Sequence, residues 1–166
     1  MMRGSVSRQQ SDDVSVHHIT DVVQLNVGGK RYTTLFETLA LSKSPYFQRF
    51  VRIDDTSGKV LLFRRNLAVD SAGAIFINRD GKLFAYALQF MRDGKRTALP
   101  KNSDILRQLV RESEFYGMDG WKGVLQDQLQ TIEKQENEPN SCRVFSLVSF
   151  LNYKFSFVLT IFQKNL

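Results

Sequence analysis

Apolar and polar residues alternate along Val22–Val27, where Gln24 and Asn26 separate Val23, Leu25 and Val27. A period of two predicts a half-buried strand. Gly28-Gly29-Lys30 follows, and then Arg31-Tyr32-Thr33-Thr34. Strand, glycine turn and strand predict a hairpin, with Gly28 and Gly29 supplying positive φ in the turn. Thr34-Leu35-Phe36-Glu37 fits a capping box, in which Thr34 and Glu37 would satisfy free N–H groups of a short helix. Ser44-Pro45 carries a second start signal, Ser as N-cap and Pro in the first turn, and Tyr46, Phe47 and Phe50 give that helix an apolar face. Residues 51–73 have the weakest pattern. Residues 54–59 read as a loop, Val60–Phe63 as a short strand and residues 64–72 as a polar connector.

Regular spacing returns at residues 74–77, a buried-strand pattern that breaks at Asn78-Arg79-Asp80-Gly81. That break predicts a turn with Asp80 capping the next helix. Leu83, Phe84, Ala87, Leu88 and Met91 recur at helical spacing, and Gly94 stands where a C-cap would. A further helix starts at Asn102 or Ser103, turns Leu106, Leu109 and Val110 inward, and ends at Gly117. The cleanest helical stripe comes last: Trp121, Val124, Leu125, Gln128, Leu129 and Ile132. The pattern thus divides the chain into a flexible N-terminal arm over 1–20, a domain over 21–118, an amphipathic helical extension over 119–138 and an aromatic-rich tail over 139–166.

Composition changes this picture at the C-terminus. The 166 residues carry a net charge of +6. Residues 141–166 hold Arg143, Lys154 and Lys164 and no acid, so half of that excess belongs to the tail, together with five of the thirteen Phe. The charge is therefore not a partner signal. Basic residues elsewhere are scattered, with Arg64-Arg65 the main cluster and no recognised motif, so no nucleic-acid partner is expected. Thirteen of the 19 residues in 144–162 are apolar or aromatic, but Lys154 stands among them, and a central Lys costs about 2.5–3.5 kcal/mol on insertion scales. From Tyr153 onward the apolar side chains alternate with others at strand spacing. A β-prone or disordered aromatic tail is the reading taken. A membrane tail and a gene-model artefact are its alternatives. No apolar leader opens the chain, so no signal peptide is expected.

Candidate chemistry is sparse. One Cys excludes a disulfide framework and an all-thiolate zinc site. His17-His18 has no neighbouring ligand, and Cys142 reads as an inert thiol. Gly28-Gly29-Lys30 is no phosphate loop, because Gln24 stands where the first glycine is needed and Arg31 where Ser or Thr is needed. Asp54-Asp55 reads as a solvated pair, and no Ser/His/Asp or Cys/His arrangement has a supporting motif. The chain is expected to be no enzyme and to hold no metal or cofactor.

An ordered set of motifs carries a resemblance. Val23-Gln24-Leu25-Asn26-Val27-Gly28-Gly29-Lys30-Arg31-Tyr32-Thr33-Thr34 opens it, and Thr38-Leu39 and Ser44-Pro45-Tyr46-Phe47 continue it. Asp70, Gly73, the run from Ile75 through Asn78-Arg79-Asp80-Gly81 to Phe84, the run from Leu88 to Gly94, Leu99-Pro100 and the run from Glu112 through Phe115-Tyr116-Gly117 to Met118 complete it. In that order and spacing residues 21–118 resemble the BTB/POZ-type tetramerisation domain of voltage-gated potassium channels, above all its soluble KCTD (potassium-channel-tetramerisation-domain-containing) branch. The resemblance implies a mixed α/β (α+β) BTB/POZ-like tetramerisation domain, a short sheet packed with several helices. It implies self-assembly into a homo-tetramer or homo-pentamer through polar, heterologous faces, which close when the rotation allows. It implies a cytoplasmic adaptor with a cullin scaffold and a ubiquitylation substrate as partners, in a cullin-based E3 ubiquitin ligase. A potassium-channel auxiliary or truncated channel-assembly protein, binding channel cytoplasmic domains, is the alternative. No membrane partner is expected.

Asn78, Arg79 and Asp80 are the implied oligomer interface, Gly28 and Gly29 the structural turn, and Phe84 and Phe115 the core. Three departures stand out. Asn78 occupies a position usually acidic in the family. A single Cys cannot build the interface zinc site of one channel branch. The span between Phe50 and Ile75 is longer than usual, so residues 51–69 read as an inserted loop.

Overall fold

The computed structural model describes residues 13–137. The tail over 139–166, expected as β-prone or disordered, as a membrane tail or as a gene-model artefact, lies outside the described residues, as do the first twelve positions of the arm.

The alternating run forms the middle of a sheet. Strand β2 (Val22–Val27) buries Val23, Leu25 and Val27 on one face. Gly28 and Gly29, at φ +53° and +90°, turn it into β3 (Lys30–Leu35), which pairs with it antiparallel from Val22↔Leu35 to Val27↔Lys30. On its other side β2 pairs parallel with β7 (Ile75–Ile77), so the chain makes a long excursion before returning. The two-residue β6 (Ala68–Val69) completes the order β3-β2-β7-β6.

A second sheet has the order β1-β5-β4, from β1 (Val14–His17), β5 (Val60–Phe63) and β4 (Val51–Ile53). It corrects two expectations. The arm over 1–20 contains a strand, held to β5 from Val14↔Phe63 to His17↔Val60. The span 51–69, expected as an inserted loop, is an ordered hairpin followed by a 3-10 turn at Arg64–Asn66 and β6, with Val51 and Val60 fully buried.

The helices are α1 (Phe36–Ala40), α2 (Pro45–Gln48), α3 (Gly81–Asp93), α4 (Ser103–Tyr116) and α5 (Asp119–Asn137). Asp80 caps α3 as expected, its Oδ1 accepting from the N–H groups of Lys82 and Leu83 at 2.6 and 3.3 Å. Asn102 Oδ1 caps α4 through the Ile105 N–H at 2.9 Å. Gly94 and Gly117, both at positive φ, end the two helices.

The capping box at Thr34 does not form. Leu35 is the N-cap and makes no side-chain cap bond, because strand alternation turns Thr34 into the core, where its hydroxyl is unpaired. The N–H groups of Phe36 and Glu37 are taken instead by the Asp21 and Ile19 carbonyls, at 3.0 and 2.9 Å. Ser44 is the N-cap of α2, yet its hydroxyl donates to the Tyr116 carbonyl, tying α2 to the end of α4.

The aromatic core joins these pieces. Phe47 stacks on Tyr116 at 5.7 Å, Phe84 lies 5.6 Å from Tyr116, and Tyr32 meets Phe84 edge-on at 5.2 Å. Trp121 and Leu125 of α5 are fully buried, and Trp121 stacks on Phe90 of α3. The chain divides into two compact units after Leu129; the described part of the second is the end of α5. No helix among the described residues is long and apolar enough to cross a membrane.

Candidate assembly face

The two sets of residues singled out in the sequence, Gly28-Gly29 and Asn78-Arg79-Asp80, meet in space. Parallel pairing of β2 with β7 brings their ends level, and the Gly28 N–H donates to the Ile77 carbonyl at 3.0 Å. A Cβ on Gly28 would lie 2.3 Å from the Arg79 carbonyl oxygen. A Cβ on Gly81 would lie 2.5 Å from the Val27 carbonyl oxygen and 2.6 Å from the Lys30 Cβ. The hairpin turn and the β7–α3 turn interlock with no room for a side chain between them. Two neighbours reinforce the lock. The Tyr32 hydroxyl donates to the Gly81 carbonyl, and the Asn26 Oδ1 accepts from the Gly29 N–H at 2.9 Å.

This lock presents Asn78 and Asp80 to solvent and leaves Arg79 half-buried. Arg79 is not free. Its Nε and Nη2 donate to the two carboxylate oxygens of Glu112 on α4, at 3.1 and 2.5 Å, and its guanidinium lies 4.4 Å from the Phe115 ring centroid. Glu112 is itself buried. Hydrogen bonding to that carboxylate raises the Arg79 pKa further above its ordinary value. Paired, planar hydrogen bonds of this kind fix orientation as well as charge.

Phe115 corrects an expectation. It is 41% exposed rather than part of the core. Its ring lies 4.9 Å from that of Tyr46, and the Arg49 guanidinium lies 4.6 Å from the Tyr46 ring. Two guanidinium groups therefore flank a pair of rings in the order Arg49, Tyr46, Phe115, Arg79, ending on buried Glu112. Desolvation raises the Tyr46 pKa against the pull of Arg49 and Arg79, and burial raises that of Tyr116 beneath it.

A second polar group lies on the outer face of the first sheet. Asn26 Nδ2 donates to Asp70 Oδ2 at 2.7 Å, Arg31 pairs with the same oxygen at 2.9 Å, and Asp70 Oδ1 accepts from the Ala72 and Ala74 N–H groups. The Asn26 amide, with smaller help from the two N–H groups and Arg31, holds the Asp70 carboxyl below the usual carboxylate range.

Sequence reasoning located the turn but missed Glu112, Tyr46 and the bridge at Asp70. A signal for the first existed: Glu112 and Phe115 are three apart on one helix and so project to neighbouring positions. The Glu112 carboxylate is occupied on both oxygens by Arg79. No cluster of His, Cys, Asp or Glu able to hold a metal ion occurs among the described residues.

Known proteins resemble this chain in sequence. A family model for the BTB/POZ domain matches residues 23–124, more than half of the chain. Human BTB/POZ domain-containing protein KCTD21 is 34% identical over 118 residues, 71% of this chain and 41% of its own length. The zebrafish BTB/POZ domain-containing adapter for CUL3-mediated RhoA degradation protein 1 is 31% identical over 127 residues, 76% of this chain and 34% of its own. An uncharacterised Caenorhabditis elegans protein is 34% identical over 114 residues, 64% of this chain and 79% of its own. The chain thus spans most of the nematode protein but under half of the other two.

Proposed function

The chain belongs to the BTB/POZ domain family, in its potassium-channel-tetramerisation type, and on that premise we propose that it is a self-assembling adaptor that carries a partner to a cullin scaffold. The observation that carries this reading is the family match across residues 23–124, joined to similarity with a protein named as an adapter for CUL3-mediated degradation. The geometry is in keeping with it. Asn78 and Asp80 stand exposed on a turn that two interlocked glycine segments hold in one shape. A preordered face loses little conformational entropy on association. In this reading copies contact head to tail through that turn and close into a metal-free ring of four or five, and the protein performs no catalysis of its own.

Size-exclusion chromatography with light scattering on the full chain is the test. The expected mass is a small multiple of 19.1 kDa, and a monomer at micromolar concentration would sink the proposal. Asp80 needs a careful variant, because its carboxylate also caps α3. Asp80→Asn keeps the cap, since Asn and Asp serve equally there, and removes the charge. It is expected to weaken the assembly while thermal unfolding stays nearly unchanged. Pull-down with the N-terminal region of a cullin then separates a ligase adaptor from a plain assembly domain. Co-assembly with a channel cytoplasmic domain would point to the channel alternative.

A further inference from the structure

The sheet β1-β5-β4 ends at β1, and no described strand pairs with its outer edge. The hydrogen bonds fix which groups face that edge. The Arg64 N–H donates to the Asp13 carbonyl at 2.8 Å, while the Phe63 N–H donates to the Phe50 carbonyl on the opposite side at 2.9 Å. Because bonded and non-bonded pairs alternate in an antiparallel ladder, Asp13, Ser15 and His17 turn their backbone groups toward β5. Val14 and Val16 therefore turn theirs outward. Their side chains are 37% and 58% exposed as well. Natural edge strands are usually protected by Lys, Pro or a bulge, and β1 presents Val-Ser-Val instead.

The segment Asp13-Val14-Ser15-Val16-His17 is complementary to itself when read antiparallel. With Ser15 opposite Ser15, each Val14 faces a Val16 and each Asp13 faces a His17. Apolar pairs of this kind stabilise neighbouring strands, and Asp13 opposite His17 sets a carboxylate acceptor beside an imidazole. The same register puts Val14 and Val16 in bonded positions, where their outward groups need to be. The local side chains are held in place: His17 Nε2 and Ser15 Oγ are 2.8 Å apart, the His17 ring stacks on Phe36 at 4.5 Å, and Asp13 pairs with Arg65.

We propose that β1 is an interface with a second copy of this chain, the two β1 strands pairing antiparallel about a two-fold axis at Ser15. The contact is isologous and independent of any head-to-tail face. Each chain would contribute the N–H and C=O of Val14 and Val16, joining two three-stranded sheets into one of six strands.

The full chain tests this in two ways. Val16→Lys changes an exposed side chain and puts a charge on the edge, so the fold is expected to survive, with an unchanged circular dichroism spectrum. The mass by light scattering should fall twofold. Ser15→Cys in a Cys142→Ser background should form a covalent dimer under mild oxidation. Cα atoms of a non-bonded antiparallel pair lie about 4.5 Å apart, inside the range a disulfide accepts. An unchanged mass for Val16→Lys, whether because the edge is empty or because a different protein's strand fills it, overturns the proposal. So does a Ser15→Cys chain that stays uncrosslinked. Absence of a ring reads differently: the wild type would then be a dimer and Val16→Lys a monomer.

Discussion

Gly28 and Gly29 occupy one turn under different constraints. Both have positive φ, but a side chain at Gly28 would run into the Arg79 carbonyl oxygen, while the space around Gly29 is open. Gly29→Ala meets only the cost of a left-handed backbone, about 1–2 kcal/mol. Gly28→Ala adds a backbone clash and is expected to cost at least about 3 kcal/mol, with separation of the two turns. Urea unfolding of the two variants measures the gap, and equal midpoints would contradict the interlock. Asp70 gives a pH signature. Its carboxyl is held low first by the Asn26 amide. A carboxyl depressed on folding contributes stability that is full above its unfolded pKa and is lost as pH falls through its folded value. Asn26→Ala should therefore raise the Asp70 pKa toward the ordinary range and move that loss to higher pH, as followed by NMR titration of the Asp70 side chain. The glycine turn was legible because few residues accept its dihedral angles. The exposure of Phe115 was misread, although helical phase carries it: Leu106, Leu109, Ser113 and Tyr116 form a buried stripe at spacings of three and four, and Phe115 falls off it.

The longer elements announced themselves through spacing, but of the second sheet only β5, Val60–Phe63, was read as a strand. Strands β4 and β1 have three and four residues, too few to distinguish alternation from chance. Their order comes from pairing between Val14 and Phe63, far apart in the chain, and no local pattern encodes that. The failed capping box has a similar origin: carbonyls of Ile19 and Asp21 reach α1 from outside the local sequence. Helix α4 is joined to the β7–α3 turn by Glu112, whose two oxygens both bond Arg79. Glu112→Gln keeps the shape, removes the charge and replaces one acceptor by a donor facing the guanidinium. A loss of about 1–3 kcal/mol is expected, with faster amide exchange at residues 78–80. Unaltered exchange there would show that Glu112 does not hold the turn.

At the scale of the molecule, the two proposed contacts have separable arithmetic. A head-to-tail face closes a ring of any small number, whereas a two-fold edge contact doubles whatever it joins. A wild-type mass corresponding to an odd number of chains would be incompatible with full pairing at β1, and an assembly of eight or ten chains that falls to four or five with Val16→Lys would show both contacts at once. The family was legible in the order of its motifs, while the assembly faces are properties of surfaces that distant segments build together. Leu25 pairs with Ile75, fifty positions later, and the entropy of closing such a loop rises with the logarithm of its length. The excursion is not slack chain, because the β2–β3 and β4–β5 hairpins each form from neighbours. Local hairpins that fold early shorten the effective loop before the parallel seam closes. The span between β2 and β7 thus carries local pairings that reduce the distance to be closed, and the glycine lock needs both of its ends in place before it can form.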